Sequence, residues 1–328
     1  MSIDHDLVLA LGQTLRGTDL PALGAKYEGK VRDNYSTADG RRFIVVTDRV
    51  SAFDHVLGTI PFKGQVLNRL AAWWFERSRS VAENHLVGVP DPNVLECVEC
   101  EPLLVEMVVR AYVTGSTSTS IWTHYQQGAR VFAGHTLPDG LRKNERLASP
   151  ILTPATKAPK GEHDVSASRE EILASGKVTR EDFDAAAAIA MRLFDQGAKV
   201  LAERGLILVD TKYEFGKTKD GRVLVIDEIH TPDSSRFWMA NSYDERFARG
   251  EDPEPFDKDF VRRHFTALGY AGDGPPPALP DEVRVGAAKR YISAYEQITG
   301  EPFVPDTEEP IARIRRNLRT TGVTGATT

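Results

Sequence analysis

Charged residues alternate with apolar ones in the stretch that runs from Gly205 to Trp238. Asp210, Lys212 and Glu214 are spaced two apart in a segment rich in Leu, Ile and Val. Side chains of a β-strand point to opposite faces in turn, so these three charged groups share one face if the segment is a strand. Charges beside an apolar core must be paired or bound to a metal. The pattern therefore predicts a polar site on one face of a strand.

Asp220 and Gly221 lie between two such apolar runs and favour a β-hairpin. If they are the two central residues of the turn, Glu214 lies directly opposite Asp227. Two facing carboxylates repel each other, and a divalent cation between them would remove the repulsion. Carboxylate oxygens, together with waters and substrate phosphates, are typical ligands of Mg²⁺. We therefore expect a magnesium site at Glu214 and Asp227. The alternative is a surface hairpin with solvated charges, which the apolar flanks disfavour.

Two further clusters combine an arginine with hydroxyl groups. Arg110 ends the apolar run 103–109 and precedes a run of Ser and Thr that includes Ser116, and Ser235 is followed by Arg236. If a helix begins within the Ser/Thr run, its free backbone N–H groups, the hydroxyls and Arg110 form an anion pocket. The alternative is a low-complexity loop, and the adjoining arginine favours the pocket.

Isolated lysines lie in two other segments. Lys30 follows a glycine in one arm of a predicted N-terminal hairpin, which is either a phosphate-covering flap or a plain edge hairpin. Lys157 lies with Asp164 in the proline-containing segment 137–168, and irregular segments of this length are usually functional or disordered.

Acidic metal ligands with lysines and arginines are typical of phosphoryl transfer. Two separate anion sites favour a nucleotide and a second phosphorylated substrate. The chain has no P-loop or G-x-G-x-x-G sequence, so those two nucleotide-binding folds are excluded.

The predicted helices frame these segments. Apolar residues at helical spacing predict helices over 4–16, 66–77, 181–204, 281–299 and 311–318, with another near residue 257. Ser168 and Glu171 form a capping box that opens a helix. Gly205 ends the longest helix, which is expected to be a packing helix that leads into the hairpin.

Composition restricts the class of protein. The chain has 328 residues, of which 41% are hydrophobic and 27% charged, as in soluble globular proteins with one large or two medium domains. The net charge of −6 gives no general reason to bind nucleic acid or anionic membranes. No apolar run approaches the roughly 20 residues of a membrane span, and the N-terminus lacks a signal-peptide pattern, so we expect a cytoplasmic protein. Cys97 and Cys100 have no two further zinc ligands nearby in the sequence and are expected to be ordinary thiols.

Six stretches of the chain resemble the SAICAR synthetase (phosphoribosylaminoimidazole-succinocarboxamide synthase) family. They are YEGKVRD, TDRVSAFD, EMVVRAYVTGS, TPATKAPKGEHD, GLILVDTKYEFG and VIDEIHTPDSSRFW, and the resemblance is taken to cover about residues 26 to 262. The chain is similar to the longer members of the family. The resemblance says least about residues 265–328.

The resemblance implies an α+β, two-lobed, ATP-grasp-like fold, with a small antiparallel β lobe over a larger α+β lobe. Residues 1–104 are expected to form the N-terminal, ATP-covering lobe. Residues 105–328 are expected to form the C-terminal substrate and metal lobe with a helical extension. The implied reaction joins L-aspartate to the carboxylate of a carboxylated aminoimidazole ribonucleotide (CAIR), with ATP and Mg²⁺, in purine biosynthesis. The products are the succinocarboxamide SAICAR, ADP and phosphate, an acyl phosphate is the expected intermediate, and the expected oligomeric state is monomer or homodimer.

The resemblance also implies roles for individual residues. Lys212 and Asp210 are the expected catalytic residues. The expected CAIR-binding residues are Arg110, Ser116, Asp164, Asp210, Lys212, Arg236 and Arg262. The expected ATP-binding residues are Lys30, Arg32, Leu103, Val105, Glu106, Lys157, Glu214 and Asp227, of which the last two also hold Mg²⁺.

Two functions of other classes compete with this interpretation. A small-molecule kinase would consume ATP without aspartate. A catalytically silent nucleotide-binding regulator would have lost its metal-binding acids, and both are present in this sequence. Measuring ADP release with each substrate omitted in turn separates the ligase from the kinase.

Overall fold

The computed structural model describes residues 3–53, 55–157, 165–256 and 259–320. Its α-helices are α1 (Ile3–Ala10), α2 (Lys63–Arg77), α3 (Ile121–Gln126), α4 (Arg169–Ala174), α5 (Arg180–Glu203), α6 (Ala240–Ala248), α7 (Asp259–Ala267), α8 (Asp281–Thr299) and α9 (Pro310–Thr320). Its strands are β1 (Ala25–Glu28), β2 (Arg32–Ser36), β3 (Arg41–Val46), β4 (Arg49–Ala52), β5 (His55–Thr59), β6 (Leu86–Asp91), β7 (Val94–Val98), β8 (Glu101–Pro102), β9 (Val105–Val113), β10 (Val131–Phe132), β11 (His135–Thr136), β12 (Glu145–Leu152), β13 (Ala155–Thr156), β14 (Leu206–Lys217), β15 (Val223–Ile226) and β16 (Ser235–Met239).

The chain divides into two compact units. Unit 1 contains Met1–Glu76, His85–Glu99 and Asp257–Thr328, and unit 2 contains Arg77–Asn84 and Cys100–Phe256. The expected lobes 1–104 and 105–328 stay a prediction, and the two units differ from them in that residues 257–328 group with the N-terminal residues. The physical reason is that α9 packs against β6 and places the buried Arg313 beside Asp91.

Unit 1 is built on a five-stranded antiparallel sheet with the order β1-β2-β3-β7-β6. Phe43 and Val45 of the apolar strand β3 are fully buried. They share a core cluster with Ile314 and Leu318 of α9. Residues for which the family resemblance is weakest therefore help to complete the core of this unit.

Unit 2 contains the strand that the sequence predicts to carry the site. The central sheet has the order β12-β9-β14-β15, with β13 also paired to β9, and β8 and β16 also paired to β14. All these pairs are antiparallel. Helix α5 packs against β9 and β14. β14 is thus an interior strand with neighbours on both sides.

The helices largely follow the sequence prediction. The long packing helix is confirmed as α5, which begins after the N-cap Thr179 and ends before Gly205, whose φ is 72°. The capping box at Ser168 and Glu171 is also confirmed. Helix α1 ends at Ala10, earlier than predicted. Within the ranges given above, no helix has both the length and the apolar character that crossing a membrane requires.

The hairpin of β14 and β15 has a different register from the one predicted. Glu214 pairs with Ile226, so it does not lie opposite Asp227, and the predicted direct pairing of the two carboxylates is wrong. The loop contains three residues, 219–221, closed by hydrogen bonds between the residues on either side, and Gly221 has φ 90°. An Asp-Gly pair fits a two-residue turn as well as a three-residue loop, since both need a left-handed glycine. The local sequence therefore does not decide the register.

The segment 137–168 contains more regular structure than predicted. β12 and β13 lie within it, and both pair with β9. Pro150 lies inside β12, where the register shifts between Arg146 and Ile151. A proline cannot donate to the ladder, and it obscures the alternation by which a strand is recognised. Asp164 belongs to residues 158–164, which lie outside the described residues.

Candidate active site

The candidate site lies on one face of the central sheet of unit 2. Asp210 of β14 pairs with Arg110 of β9 on one side and with Arg236 of β16 on the other. Because β14 is an interior strand, its charged side chains meet groups from both neighbours. Side chains 100 positions apart in the sequence are thus brought into contact.

Glu106, Lys157, Lys212 and Glu214 form an ion-pair group, called the lysine–glutamate cluster below. The Lys212 Nζ donates to Glu106 Oε1 at 2.8 Å and to Glu214 Oε1 at 3.2 Å. The Lys157 Nζ donates to Glu214 Oε2 at 2.5 Å. Each carboxylate oxygen of Glu214 therefore accepts from a different lysine.

The charges of this cluster stabilise one another. Burial disfavours the charged form of Lys212, but Glu214, Glu106 and Asp227 outweigh burial and raise the pKa of Lys212 above its ordinary value. Burial also disfavours ionised Glu214, but Lys212 and Lys157 hold the pKa of Glu214 well below its ordinary value. Both side chains are therefore charged at neutral pH. Lys212 is suited to stabilising negative charge and not to accepting a proton.

Asp227 acts on the same cluster, although it is not paired across the ladder with Glu214. It directly follows β15, and its φ of 71° turns the chain out of the regular strand conformation. Its charge contributes to the raised pKa of Lys212. Glu214 and Asp227 therefore share one lysine as an electrostatic partner.

The donor set of this cluster suits a divalent cation that arrives with phosphates. Among the described residues, no group of three or more His, Cys, Asp or Glu side chains is placed to hold a metal ion. Glu214 is bonded to two ammonium groups, so positive charge already collects at its oxygens. Mg²⁺ in nucleotide sites is usually bound by one or two carboxylates together with waters and substrate phosphates. Glu214 and Asp227 fit that mode of binding and do not make a metal cage by themselves.

Arg110, Arg236 and Asp210 form a second group, called the arginine–aspartate cluster below. Arg236 donates to Asp210 Oδ2 at 2.9 Å, and a terminal nitrogen of Arg110 lies 3.4 Å from the same oxygen. Burial lowers the pKa of Arg110, Asp210 opposes this, and Arg236 adds to it. A guanidinium nevertheless remains protonated. Two guanidinium groups thus converge on one carboxylate, and such a pair of planar cations suits the binding of an anion such as a phosphate.

Thr153 is a member of this site that sequence reasoning missed. The Nε of Arg110 donates to Thr153 Oγ1 at 2.9 Å. Thr153 lies between β12 and β13 and donates its backbone N–H to the carbonyl of Val108. The threonine thereby fixes the direction of the Arg110 guanidinium. No local signal in the proline-containing segment marks it.

The loop 227–234 between β15 and β16 carries further polar residues, of which the sequence offered His230 and Thr231 only as candidates for binding L-aspartate. Thr231 Oγ1 donates to Glu228 Oε2 at 2.5 Å. The backbone N–H of Lys212 donates to Ser234 O at 3.1 Å. Burial lowers the pKa of His230 to about 3, so its imidazole is neutral at pH 7. The loop is therefore held against β14 by buried polar contacts.

Two predicted phosphate-binding residues, Lys30 and Arg32, belong to unit 1. The predicted single hairpin arm is divided into β1 and β2, with Lys30 in the turn and Arg32 at the start of β2. The buried Arg49 holds this turn, because its guanidinium donates to the carbonyl oxygens of Gly29 and Lys30 at 3.0 Å each and to Asp33 at 2.9 Å. Burial opposes the ionisation of Asp33, but the hydrogen bond from Arg49 helps to lower its pKa. Arg49 is thus a structural residue that presents Lys30.

Ser116 and Arg262 are two further residues with a predicted role in CAIR binding. Ser116 is exposed in the loop before α3, whose N-cap is Ser120. Arg262 is exposed on α7 of unit 1, where its guanidinium lies 5.2 Å from the centre of the Phe53 ring. Their roles stay predictions.

The predicted nucleotide-lining segment leads into β9, which begins at Val105. Leu103 and Val105 are 8% and 0% exposed, and Val105 pairs with Thr156 of β13. Glu106 follows them and pairs with Lys212, so the segment leads directly into the lysine–glutamate cluster. A role in nucleotide binding stays a prediction for these three residues.

Known proteins are similar to this chain over most of its length. The SAICAR synthetase family profile matches residues 25–277. The chain is 51% identical over 294 residues to the phosphoribosylaminoimidazole-succinocarboxamide synthase of Legionella pneumophila (strain Lens), covering 89% of this chain and 93% of that protein. It is similar to the solved SAICAR synthase from Saccharomyces cerevisiae in complex with SAICAR, with a TM-score of 0.76 and 28% identity over 89% of this chain and 100% of that one. A SAICAR synthetase solved in complex with ADP matches with a TM-score of 0.65 and 24% identity, covering 86% of this chain and 100% of that one.

These likenesses confirm the α+β, ATP-grasp-like fold class expected from the sequence, and the antiparallel sheets agree with it. The resemblance found in the six sequence stretches is confirmed as well. The chain belongs to the SAICAR synthetase family and is an enzyme of the carbon–nitrogen ligase class.

Proposed function

We propose that this chain joins L-aspartate to the carboxylate of CAIR, driven by ATP, to give SAICAR, ADP and phosphate in purine biosynthesis. The name of the Legionella relative and the SAICAR and ADP bound in the two structural neighbours support this set of substrates. The observation that carries the proposal is the arrangement of the two clusters on β14. Asp210 belongs to one and Lys212 to the other, and residues two apart on a strand are separated by about 7 Å. A small substrate can therefore contact both clusters at once.

The arginine–aspartate cluster is proposed to hold the ribonucleotide. Arg110 and Arg236 supply the positive charge for its phosphate, and Asp210 orients the substrate amine. Thr153 supports this role because it fixes Arg110 by a hydrogen bond of 2.9 Å. Ser116, Asp164 and Arg262 are proposed as further ligands on the family resemblance alone.

The lysine–glutamate cluster is proposed to act on ATP. When ATP binds, the Lys157 side chain moves its ammonium group away from Glu214 and pairs with the phosphates. Lys212 stabilises the charge that develops at the reacting carboxylate. Mg²⁺ would be held by Glu214 and Asp227 and would neutralise phosphate charge. Lys30, Arg32 and the segment with Leu103, Val105 and Glu106 are proposed nucleotide ligands by family resemblance.

Two steps account for the products. In the first step, a carboxylate oxygen of CAIR forms a bond to the γ-phosphorus while the bond from that phosphorus to ADP breaks, which gives an acyl phosphate. In the second step, the amine of L-aspartate attacks the acyl carbon, phosphate leaves, and the nitrogen loses a proton. Lys212 faces the carboxylate in both steps. Holding the reactants in place can account for about 7–11 kcal/mol of the barrier reduction.

The reaction is tested by measuring sustained ADP release with CAIR, L-aspartate or both present. The ligase requires both, and it forms one SAICAR for each ADP. Sustained ADP release with CAIR alone would show a kinase and contradict the proposal. Asp210→Asn is expected to lower turnover at least about 100-fold, whereas Asp195→Asn, on the exposed side of α5, is the matched control.

The acyl phosphate is tested with CAIR labelled with ¹⁸O in its carboxylate. One labelled oxygen should appear in the released phosphate, because the carboxylate oxygen that attacks the phosphorus leaves with it. Phosphate without the label would rule out this intermediate and leave the overall ligation standing. The expected monomer or homodimer stays a prediction, which sedimentation measurements on the full chain can check.

A further inference from the structure

The loop 227–234 has a backbone that its sequence alone does not favour. Asp227 has φ 71° and His230 has φ 46°, and neither is a glycine. Left-handed conformations of other residues are unfavourable and persist only where the surrounding structure enforces them. Contacts with neighbouring elements must therefore hold this loop in place.

His230 is buried between β14 and α5. Its side chain is 1% exposed, and its Nε2 lies 2.6 Å from the hydroxyl oxygen of Tyr213. Tyr213 is fully buried and lies between Lys212 and Glu214 on β14. The imidazole thus ties the loop to the strand that carries the lysine–glutamate cluster.

Gly197 of α5 leaves the space that this imidazole occupies. A Cβ atom at position 197 would lie 2.1 Å from Cε1 of His230 and 2.6 Å from its Nδ1. Glycine in the interior of a helix is less favourable than alanine, and α5 is 24 residues long with position 197 well inside it. The close approach of the His230 ring explains why a glycine is present there.

We propose that His230, held by Tyr213 and packed against Gly197, is a positioning residue that fixes the position of Asp227 for the binding of a divalent cation with a nucleotide. This inference rests on the metal role of Asp227 in the proposed function. His230 acts on Asp227 through the backbone of the loop, in which it lies three positions after Asp227. The proposed role of Tyr213 and His230 involves no contact with substrate; they act only by holding the loop.

The test uses the full chain with Tyr213→Phe, His230→Ala and His230→Gln. ADP affinity is measured by calorimetry with and without Mg²⁺, and amide hydrogen exchange is followed over residues 223–236. Tyr243→Phe is the matched control, because its hydroxyl also makes a buried hydrogen bond, to Asn144 O at 2.8 Å. Asp227→Asn is measured in parallel to test the metal role itself.

We expect Tyr213→Phe and His230→Ala to speed amide exchange in the loop. Both should also weaken ADP binding about tenfold when Mg²⁺ is present and leave it unchanged when Mg²⁺ is absent, which is the effect of one lost hydrogen bond to a positioned group. His230→Gln, whose amide can still reach the Tyr213 hydroxyl, should recover part of the affinity. Tyr243→Phe should lower stability without changing the Mg²⁺-dependent affinity. If His230→Ala does not fold, Tyr213→Phe alone decides the outcome.

Folded Tyr213→Phe protein with unchanged exchange or unchanged Mg²⁺-dependent affinity would overturn the inference. If Asp227→Asn still weakens Mg²⁺-dependent binding in that case, only the positioning role fails. If Asp227→Asn has no effect, the metal role of Asp227 in the proposed function fails, and the positioning role fails with it.

Discussion

The Lys157 ammonium lies 2.5 Å from Glu214 Oε2, while Lys212 bonds the other oxygen of the same carboxylate. Lys157 directly follows β13, and Glu214 lies on β14, 57 residues later. The pairing neutralises a partly buried glutamate, whose side chain is 18% exposed. The ATP phosphates are the second partner proposed for Lys157.

Lys157→Met should raise the KM for ATP about 10- to 100-fold, because a charge-assisted hydrogen bond contributes about 1.5–3 kcal/mol. The KM for CAIR should change little. Steady-state kinetics with each substrate varied in turn provide the measurement. Lys177→Met, which alters an exposed lysine, is the control, and equal effects of the two substitutions on the KM for ATP would contradict the proposed role.

Glu214→Gln should increase the Mg²⁺ concentration required for half-maximal activity and lower kcat at least about 100-fold. The amide keeps the size of the side chain but removes the negative charge that both lysines and the cation need. A titration of activity against Mg²⁺ at saturating ATP measures this effect. Glu203→Gln on the exposed part of α5 is the comparison, and an unchanged Mg²⁺ requirement in Glu214→Gln would remove Glu214 from the metal site.

Arg236→Lys should raise the KM for CAIR about 10- to 100-fold and leave the KM for ATP nearly unchanged. Lysine keeps the charge but loses the planar fork that binds a carboxylate and a phosphate together. Arg192→Lys, at an exposed position of α5, is the matched substitution. A rise in the KM for ATP in place of that for CAIR would show that the arginine–aspartate cluster binds the nucleotide.

Acid should destabilise the protein partly through His85. This side chain is 3% exposed, and burial, followed by the charges of Arg42 and Arg32, lowers its pKa from 6.5 to about 3. Between these two values the unfolded chain binds a proton that the folded chain does not, so stability falls as pH decreases from 6.5 towards 3. From pH 7 to pH 5 the contribution is at most about 2 kcal/mol.

Urea unfolding at pH 7 and pH 5 measures this contribution. His85→Gln should show a smaller loss of stability between the two pH values than the unchanged protein, even if its stability at pH 7 is lower. His5→Gln, at an exposed position of α1, is the control. A loss of stability in His85→Gln as large as that of the unchanged chain would contradict the prediction.

Arg313→Met should destabilise unit 1 by about 3–5 kcal/mol, because it leaves a buried carboxylate without its cation. Arg313 and Asp91 are both fully buried, with Nε 3.1 Å from Oδ2. Thermal or urea unfolding of the full chain measures the change. Adding Asp91→Asn should recover part of the loss, and Arg315→Met on the exposed face of α9 should have little effect.

Local patterns in the sequence were sufficient for several parts of this structure. Alternation predicted that Asp210, Lys212 and Glu214 belong to one strand, and the structure places them on β14. Helical periodicity with caps predicted α5 and α8 closely. These features depend on neighbours within a few residues, so the local sequence contains the information that decides them.

Only the tertiary structure decided which partners the charged residues meet. The register of β14 and β15 differs by one residue from the predicted one, because Asp-Gly is compatible with both loop lengths. Glu106, Lys157 and Thr153 join the site from segments that are far away in the sequence. The sequence by itself determined the charged strand, the long helix and the family. The pairing of distant strands decided the two clusters, because its free energy depends on burial and contacts that no local pattern records.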